Sequence, residues 1–174
     1  NVQKGNPKGV KALNNLTSPS VRVALANPEI VFIGMLAAEL VEKALNPDER
    51  RLLKKNVVTY PEEFNKLAMA LMLKNVDAII GFHYLSHWYP DKVDTVKLKA
   101  EEVQRIGAGQ AGVITYSKKV SLAEKFKGFL VSGESQEIFA KYHYFATAQQ
   151  AFKWIGAKKP IGGEHPASPD WYKN

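Results

Sequence analysis

Between residues 21 and 84, segments with a two-residue apolar repeat alternate with segments of helical repeat, and this alternation restricts the fold more than any other feature. "VRVALA" (21–26) is short, apolar and β-branched, and reads as a strand. Asn27-Pro28-Glu29 breaks it. "GMLAAELVEKAL" (34–45) then carries apolar residues at helical spacing until Asn46-Pro47. "PDERRLLKKN" (47–56) starts a new helix, with proline suited to the first turn and acids behind it. "VVTY" (57–60) reads as a strand, "PEEFNKLAMALMLKN" (61–75) as a helix, "DAIIGFHY" (77–84) as a buried strand and "DTVKLK" (94–99) as another. Residues 1 to about 106 therefore predict an α/β unit, a mostly parallel sheet with helices on both faces.

The remainder differs. "GAGQAGVITYS" (107–117) reads as a Gly-rich strand crossing between two parts. Residues 121–131 and 132–142 read as two helices, the first with Ser121 and Glu124 at capping-box spacing. A third helix, 145–156, ends at Gly156. The tail is expected to be extended, lying on the surface with Trp171 and Tyr172 as anchors.

A chain of 174 residues, 45% hydrophobic, suits one ordinary domain or two small lobes. Net charge is +7, but the lysines are scattered among acids and no basic run is interleaved with aromatics. Nucleic acid is not an expected partner. The absence of cysteine excludes disulfides, thiolate metal sites and cysteine nucleophiles. No apolar stretch reaches the roughly 18 residues that span a bilayer. The chain opens on Asn1, which reads as a processed or truncated product.

Candidate sites follow from the strand-to-helix junctions. Ligands of parallel sheets sit beyond the carboxyl ends of strands, and unpaired amides at helix N-termini favour anions. Two junctions qualify: the strand at 21–26 running into the helix near Ile33, and the strand at 57–60 running into the helix near Pro61. Gly34 marks a place where backbone comes close to something. Glu62 and Glu63 complement a helix dipole but disfavour an anion at the second junction. His83 and His87 are four apart, but no third ligand stands at motif spacing, so no metal or cofactor is expected. Tyr84, Trp88 and Tyr89 cluster after a strand end, where a tyrosine hydroxyl can donate to a bound oxygen. No Gly-x-Ser-x-Gly elbow or phosphate loop is present, and no residue set supports catalysis.

Three stretches resemble a family: "KGNPKGVKALNNLTSPSVRVALANPE", "FNKLAMALMLKNVDAIIGFHYLSH" and "VSLAEKFKGFLVSGESQEIFAKYHYF". Together they are similar to the substrate-binding proteins of ABC transporters with the type II periplasmic fold, most of all the molybdate/tungstate-binding branch. The resemblance covers about residues 3 to 145. It implies a non-enzymatic, periplasmic or extracellular protein that closes two lobes around an oxyanion or other small solute and delivers it to a membrane permease. It implies a second lobe at 1–106 and a returning segment of the first lobe at 107–174. The N-terminal part of that first lobe has no counterpart here, which implies a longer protein or a lobe supplied by another chain, ahead of a returning segment that has found a new partner by swapping between protomers. The helix pair 121–142 should then expose an apolar face, and the chain alone should bind anion weakly.

Carried over residue by residue, the resemblance implies backbone donors at Ile33, Gly34 and Asn65 and a hydroxyl at Tyr84. Phe32, His83, His87 and Trp88 are candidate lining. The chain differs from the family where Phe32-Ile33-Gly34 replaces Pro-Ala-Gly, where His87 replaces an aspartate and where His143-Tyr144-Phe145 replaces a Gly-Phe ending. A different solute, or an interaction module without solute binding, are the alternative readings.

Overall fold

The computed structural model describes residues 1–173. Its centre is a five-stranded sheet of order β3-β2-β4-β1-β5, built from β1 (Val2–Gln3), β2 (Val23–Ala24), β3 (Val57–Thr59), β4 (Ala78–Ile79) and β5 (Val93–Asp94). β2 runs parallel to both β3 and β4, as the α/β alternation demands. β1 pairs antiparallel with β4 and β5, so the sheet is mixed. That strand is too short to register as a repeat in the sequence.

Among the described residues seven α-helices accompany the sheet: α1 (Phe32–Ala44), α2 (Pro47–Asn56), α3 (Phe64–Met72), α4 (Leu85–Trp88), α5 (Val120–Leu130), α6 (Gly133–Lys141) and α7 (Ala148–Ile155). The side chains of residues 23–26 alternate between two cores, as the strand period requires. Val23 and Leu25 pack with Leu40, Val41 and Leu53 from α1 and α2. Ala24 and Ala26 pack with Leu67 and Leu71 of α3 and with Leu85 of α4.

Boundaries are sharpest where local chemistry sets them. The Asn46 side chain accepts from the Glu49 amide at 3.0 Å, and the Glu49 carboxylate accepts from the Asn46 amide at 2.9 Å. This capping box, with Pro47 at the first position, fixes α2 at residue 47. α3 starts at Phe64, three residues later than Pro61, because residues 61–63 remain outside the helix. The strands expected at 77–84 and 94–99 each shrink to two residues where their pairing partners end.

Two expectations fail outright. Residues 107–117 form no strand: Gly107, Gly109 and Gly112 loosen the backbone, and no neighbouring edge pairs with it. Just before it, Ile106 makes an isolated parallel bridge to Ile161 of the tail. Nor does Ser121 cap α5. The N-cap is Lys119, and Ser121 lies inside the first turn.

α5 has no buried residue. Leu122, Phe126 and Val131 are 62%, 59% and 72% exposed, so the helix pair α5–α6 presents an uncovered apolar face. Such faces mark surfaces that meet another body.

The tail returns to the sheet layer and is anchored as expected from its aromatics. Trp171 is buried, and its indole Nε1 donates to Glu42 at 2.8 Å. Glu42 also accepts from the Ser168 amide at 2.6 Å and from His165 Nε2 at 2.6 Å. Burial would raise the Glu42 carboxyl, but hydrogen bonds from Trp171, His165 and Ser168 outweigh it and hold it below its ordinary value.

Candidate functional site

A cleft of about 970 Å³ opens between the α/β layer and the segment beyond residue 106. α1 lines this cleft along one face, with Phe32 and Ile33 in its first turn and Leu36 and Leu40 beyond them. Among the described residues, the amides of Phe32 and Ile33 have no hydrogen-bond partner, as expected for the first turn of a helix. The Gly34 amide is different: it donates to the Val31 carbonyl at 2.8 Å.

The close approach expected at Gly34 is real, but its neighbour is the protein's own backbone. A Cβ at this position would stand 2.5 Å from the carbonyl oxygens of both Ala26 and Asn27. Glycine is therefore what lets the strand end fold back against α1. Gly34→Ala is expected to lose about 1–3 kcal/mol to steric strain, against a gain of about 1 kcal/mol in helix propensity. A net loss in urea unfolding midpoint checks this.

The remaining candidates divide between two cavities. His83 and Tyr84 line the large cleft with Phe32 and Ile33. Asn65 and Trp88 instead line a separate pocket of about 280 Å³ between α3 and α4. Gly34 and His87 line neither. The sequence thus brings one helix N-terminus and one tyrosine to a common space, while the second junction opens elsewhere. The cause lies in the late start of α3, which places the amide of Asn65 in an exposed first turn.

Tyr84 caps α4 and is buried among rings: Trp88 at 4.5 Å, Tyr144 at 4.7 Å and Phe82 at 5.2 Å between centroids. Burial, with Tyr144 beside it, pushes its hydroxyl well above the usual phenol value. It is a neutral donor at any physiological pH. His83 stacks on Phe145 at 4.3 Å and lies 5.3 Å from Trp154, and burial holds its ring below the ordinary imidazole value. Its Nε2 donates to the His143 carbonyl at 2.8 Å. His87 stacks on His143. Among the described residues no group of three ligating side chains gathers.

Several cleft residues escaped the sequence reading, namely Arg105, Lys127, Tyr144 and Trp154. Arg105 was hidden because its partner is distant: its guanidinium donates to both oxygens of Glu39, one at 2.8 Å, and to the Gly162 carbonyl at 2.8 Å. Tyr144 had a signal in the tyrosine-rich "KYHYF" stretch. Among the described residues the lining contains no aspartate or glutamate. Its charged side chains are Arg105 and Lys127, while most of the rest is apolar.

Among solved structures, the chain is similar to PEB3 from Campylobacter jejuni, with a TM-score of 0.60 and 22% identity. It is likewise similar to PEB3 bound to L-phospholactate, with a TM-score of 0.59 and 21% identity. The match covers 81% of this chain and 61% of either structure, so the chain spans about three fifths of their length. That likeness is one of fold. No curated protein matches. The family described as bacterial extracellular solute-binding protein matches residues 1–145, about five sixths of the chain. On that match, this chain belongs to the bacterial extracellular solute-binding protein family.

Proposed function

We propose that the chain forms one lobe, with a returning segment of the other, of a solute-binding protein that holds an anion and delivers it to an ABC-type permease. The observation that carries this reading is the first turn of α1 in the cleft: the amides of Phe32 and Ile33 are unpaired, and among the described residues the lining holds no carboxylate, its basic side chains Arg105 and Lys127 being paired to Glu39 and Glu124 behind it. Unpaired amides in the first turn of a helix stabilise an anion that reaches them. Tyr84 adds a neutral donor. Residues 1–106 are the second lobe in this reading. The uncovered α5–α6 face is where the core of the first lobe would pack, whether from the same polypeptide or another.

Molybdate or tungstate is the simplest oxyanion to test. A small organic anion is the second reading. It is favoured by Phe32 and Ile33, which crowd the helix start, and by a cleft far larger than a tetrahedral oxyanion. L-phospholactate, bound by PEB3, represents that class.

Amide NMR at millimolar molybdate, tungstate, phosphate and L-phospholactate separates the readings. Weak binding is expected of this chain by itself, because in this reading it carries only part of the first lobe. The Phe32 and Ile33 amides should shift first, and the Asn65 amide should shift independently or not at all. No shift at Phe32 and Ile33 with any of the four anions rejects the anion reading.

A further inference from the structure

Two sets of contacts join residues 1–106 to the segment beyond them at the cleft. One is the Ile106–Ile161 bridge with Arg105 bonded to Gly162. The other is a seam of rings between residues 82–88 and the corner after α6, residues 142–145. In this seam the rings of His87 and His143 lie 3.8 Å apart and within 9° of parallel. His83 donates to the His143 carbonyl at 2.8 Å, and Trp88 Nε1 donates to the Tyr142 carbonyl at 3.0 Å. Three of the chain's four histidines meet here.

His143 adopts φ +64°, the left-handed region that costs a side chain with a Cβ. Strain of this kind persists only where surrounding contacts hold it. Here the end of α6 itself holds it, the His143 amide donating to the Ala140 carbonyl at 3.0 Å and the Tyr144 amide to the Phe139 carbonyl at 3.1 Å, and the His87 stack and His83 hydrogen bond dock this ready-made corner on the 82–88 loop. We infer that the His87–His143 stack, together with His83, is an acid-sensitive latch that holds the 142–145 corner on the 82–88 loop and releases it when the imidazoles take up protons.

The surroundings give the sign. From the 82–88 side the seam presents His83, His87, Tyr84 and Trp88; from the corner, His143, Tyr144 and Phe145; from α7, Trp154, over which the Lys97 ammonium sits at 5.1 Å. Among the described residues no carboxylate pairs with these three imidazoles; the histidine–carboxylate pair is His165 with Glu42, on the tail. A proton on His83 enters a half-buried ring cluster without a counter-charge. Protons on both His87 and His143 place two like charges face to face. Burial and the neighbouring histidines lower His83 from its ordinary value of 6.5, so the released state binds protons more readily. The latch is therefore intact above pH 6.5 and weakens as pH falls below it.

The biological use of this latch rests on the solute-binding reading, where it would govern how readily the cleft opens. Its test needs no solute, so it stands or fails apart from the anion titration. The chain has no cysteine, so Lys92→Cys with Lys141→Cys gives two unique spin-label sites, both on exposed residues flanking the seam. Electron–electron distance measurements on the full chain should give one short distance at pH 8. At pH 5 a longer population should appear, the latched-to-released ratio falling by up to about tenfold per pH unit for each proton taken up. His87→Phe keeps a ring against His143 but cannot be charged, so the change at pH 5 should shrink; with His83→Gln added, which keeps a donor for the His143 carbonyl, the short distance should persist at pH 5. His165→Gln should leave the pH response unchanged. The latch is overturned by identical distances at both pH values, by an undiminished response in His87→Phe, or by loss of the response in His165→Gln.

Discussion

Glu39→Ala is expected to destabilise the protein by about 3–5 kcal/mol in urea unfolding at pH 7. Glu39 is 1% exposed in the middle of α1, and its two oxygens receive the Arg105 guanidinium and the Lys43 ammonium. Lys43 is half exposed and can rehydrate, but the Arg105 side chain is only 15% exposed. Removing the carboxylate leaves a largely buried guanidinium without its counter-charge, which costs far more than the net worth of the pair. Arg105 also bonds the Gly162 carbonyl, so the loss should spread to the tail. Exchange of the Ile106 and Gly162 amides, which bridge those segments, should accelerate along with global unfolding.

The same carboxyl gives a pH signature. The Arg105 hydrogen bonds, opposed by burial and helped by Lys43, hold Glu39 at about 2, against an ordinary value of 4.5. Because the folded value is depressed, its contribution is complete above pH 4.5. It is lost as pH falls from 4.5 toward 2. Glu39→Gln should flatten the acid limb of the stability curve across that window, while a limb identical to the parent's would rule the assignment out.

Trp171→Ala is the second large effect, with an expected loss of about 3–5 kcal/mol in tail docking. The indole is 5% exposed against the core of the first sheet face and supplies one of three hydrogen bonds to Glu42. Truncation opens a cavity and leaves the Glu42 carboxylate beneath it with two of its three hydrogen bonds. The tail contacts α1, α2 and Ile106 and does not enter the sheet, so detachment should precede global unfolding. Limited proteolysis should cut within 157–173 while residues 1–100 stay protected. Equal protection of the tail in parent and variant would show that the anchor lies elsewhere.

The helices of residues 34–56 were legible because their signals are local. Asn46, Pro47 and Glu49 determine a boundary within four residues of sequence. Val23 to Ala26 likewise reveal two buried faces by alternation. The strand expected at 107–117 failed for the opposite reason: a strand needs a partner edge, and no repeat within "GAGQAGVITYS" records whether one exists. The site was half legible. Phe32, Ile33, His83 and Tyr84 reach the cleft, since each sits at a strand end or helix start that periodicity locates. Asn65 and Trp88 line a different pocket, because three residues of unwound chain before α3 decide where its amides point. Gly34 was noticed as a close approach, and the backbone it approaches is the protein's own. The Arg105–Glu39 and His165–Glu42 pairs join residues 66 and 123 positions apart, beyond the reach of any local pattern.

That last separation has a consequence for biosynthesis. Glu42 leaves the ribosome between 123 and 129 residues ahead of the three groups that satisfy it. At typical elongation rates the interval is roughly 6–25 s. During that time the carboxylate must stay hydrated, so the face of α1 that ends up beneath Trp171 stays open to water and to other chains. A nascent polypeptide of this sequence has its longest vulnerable period at the surface its tail will finally seal, and that surface is where a ribosome-associated chaperone would have the most to protect.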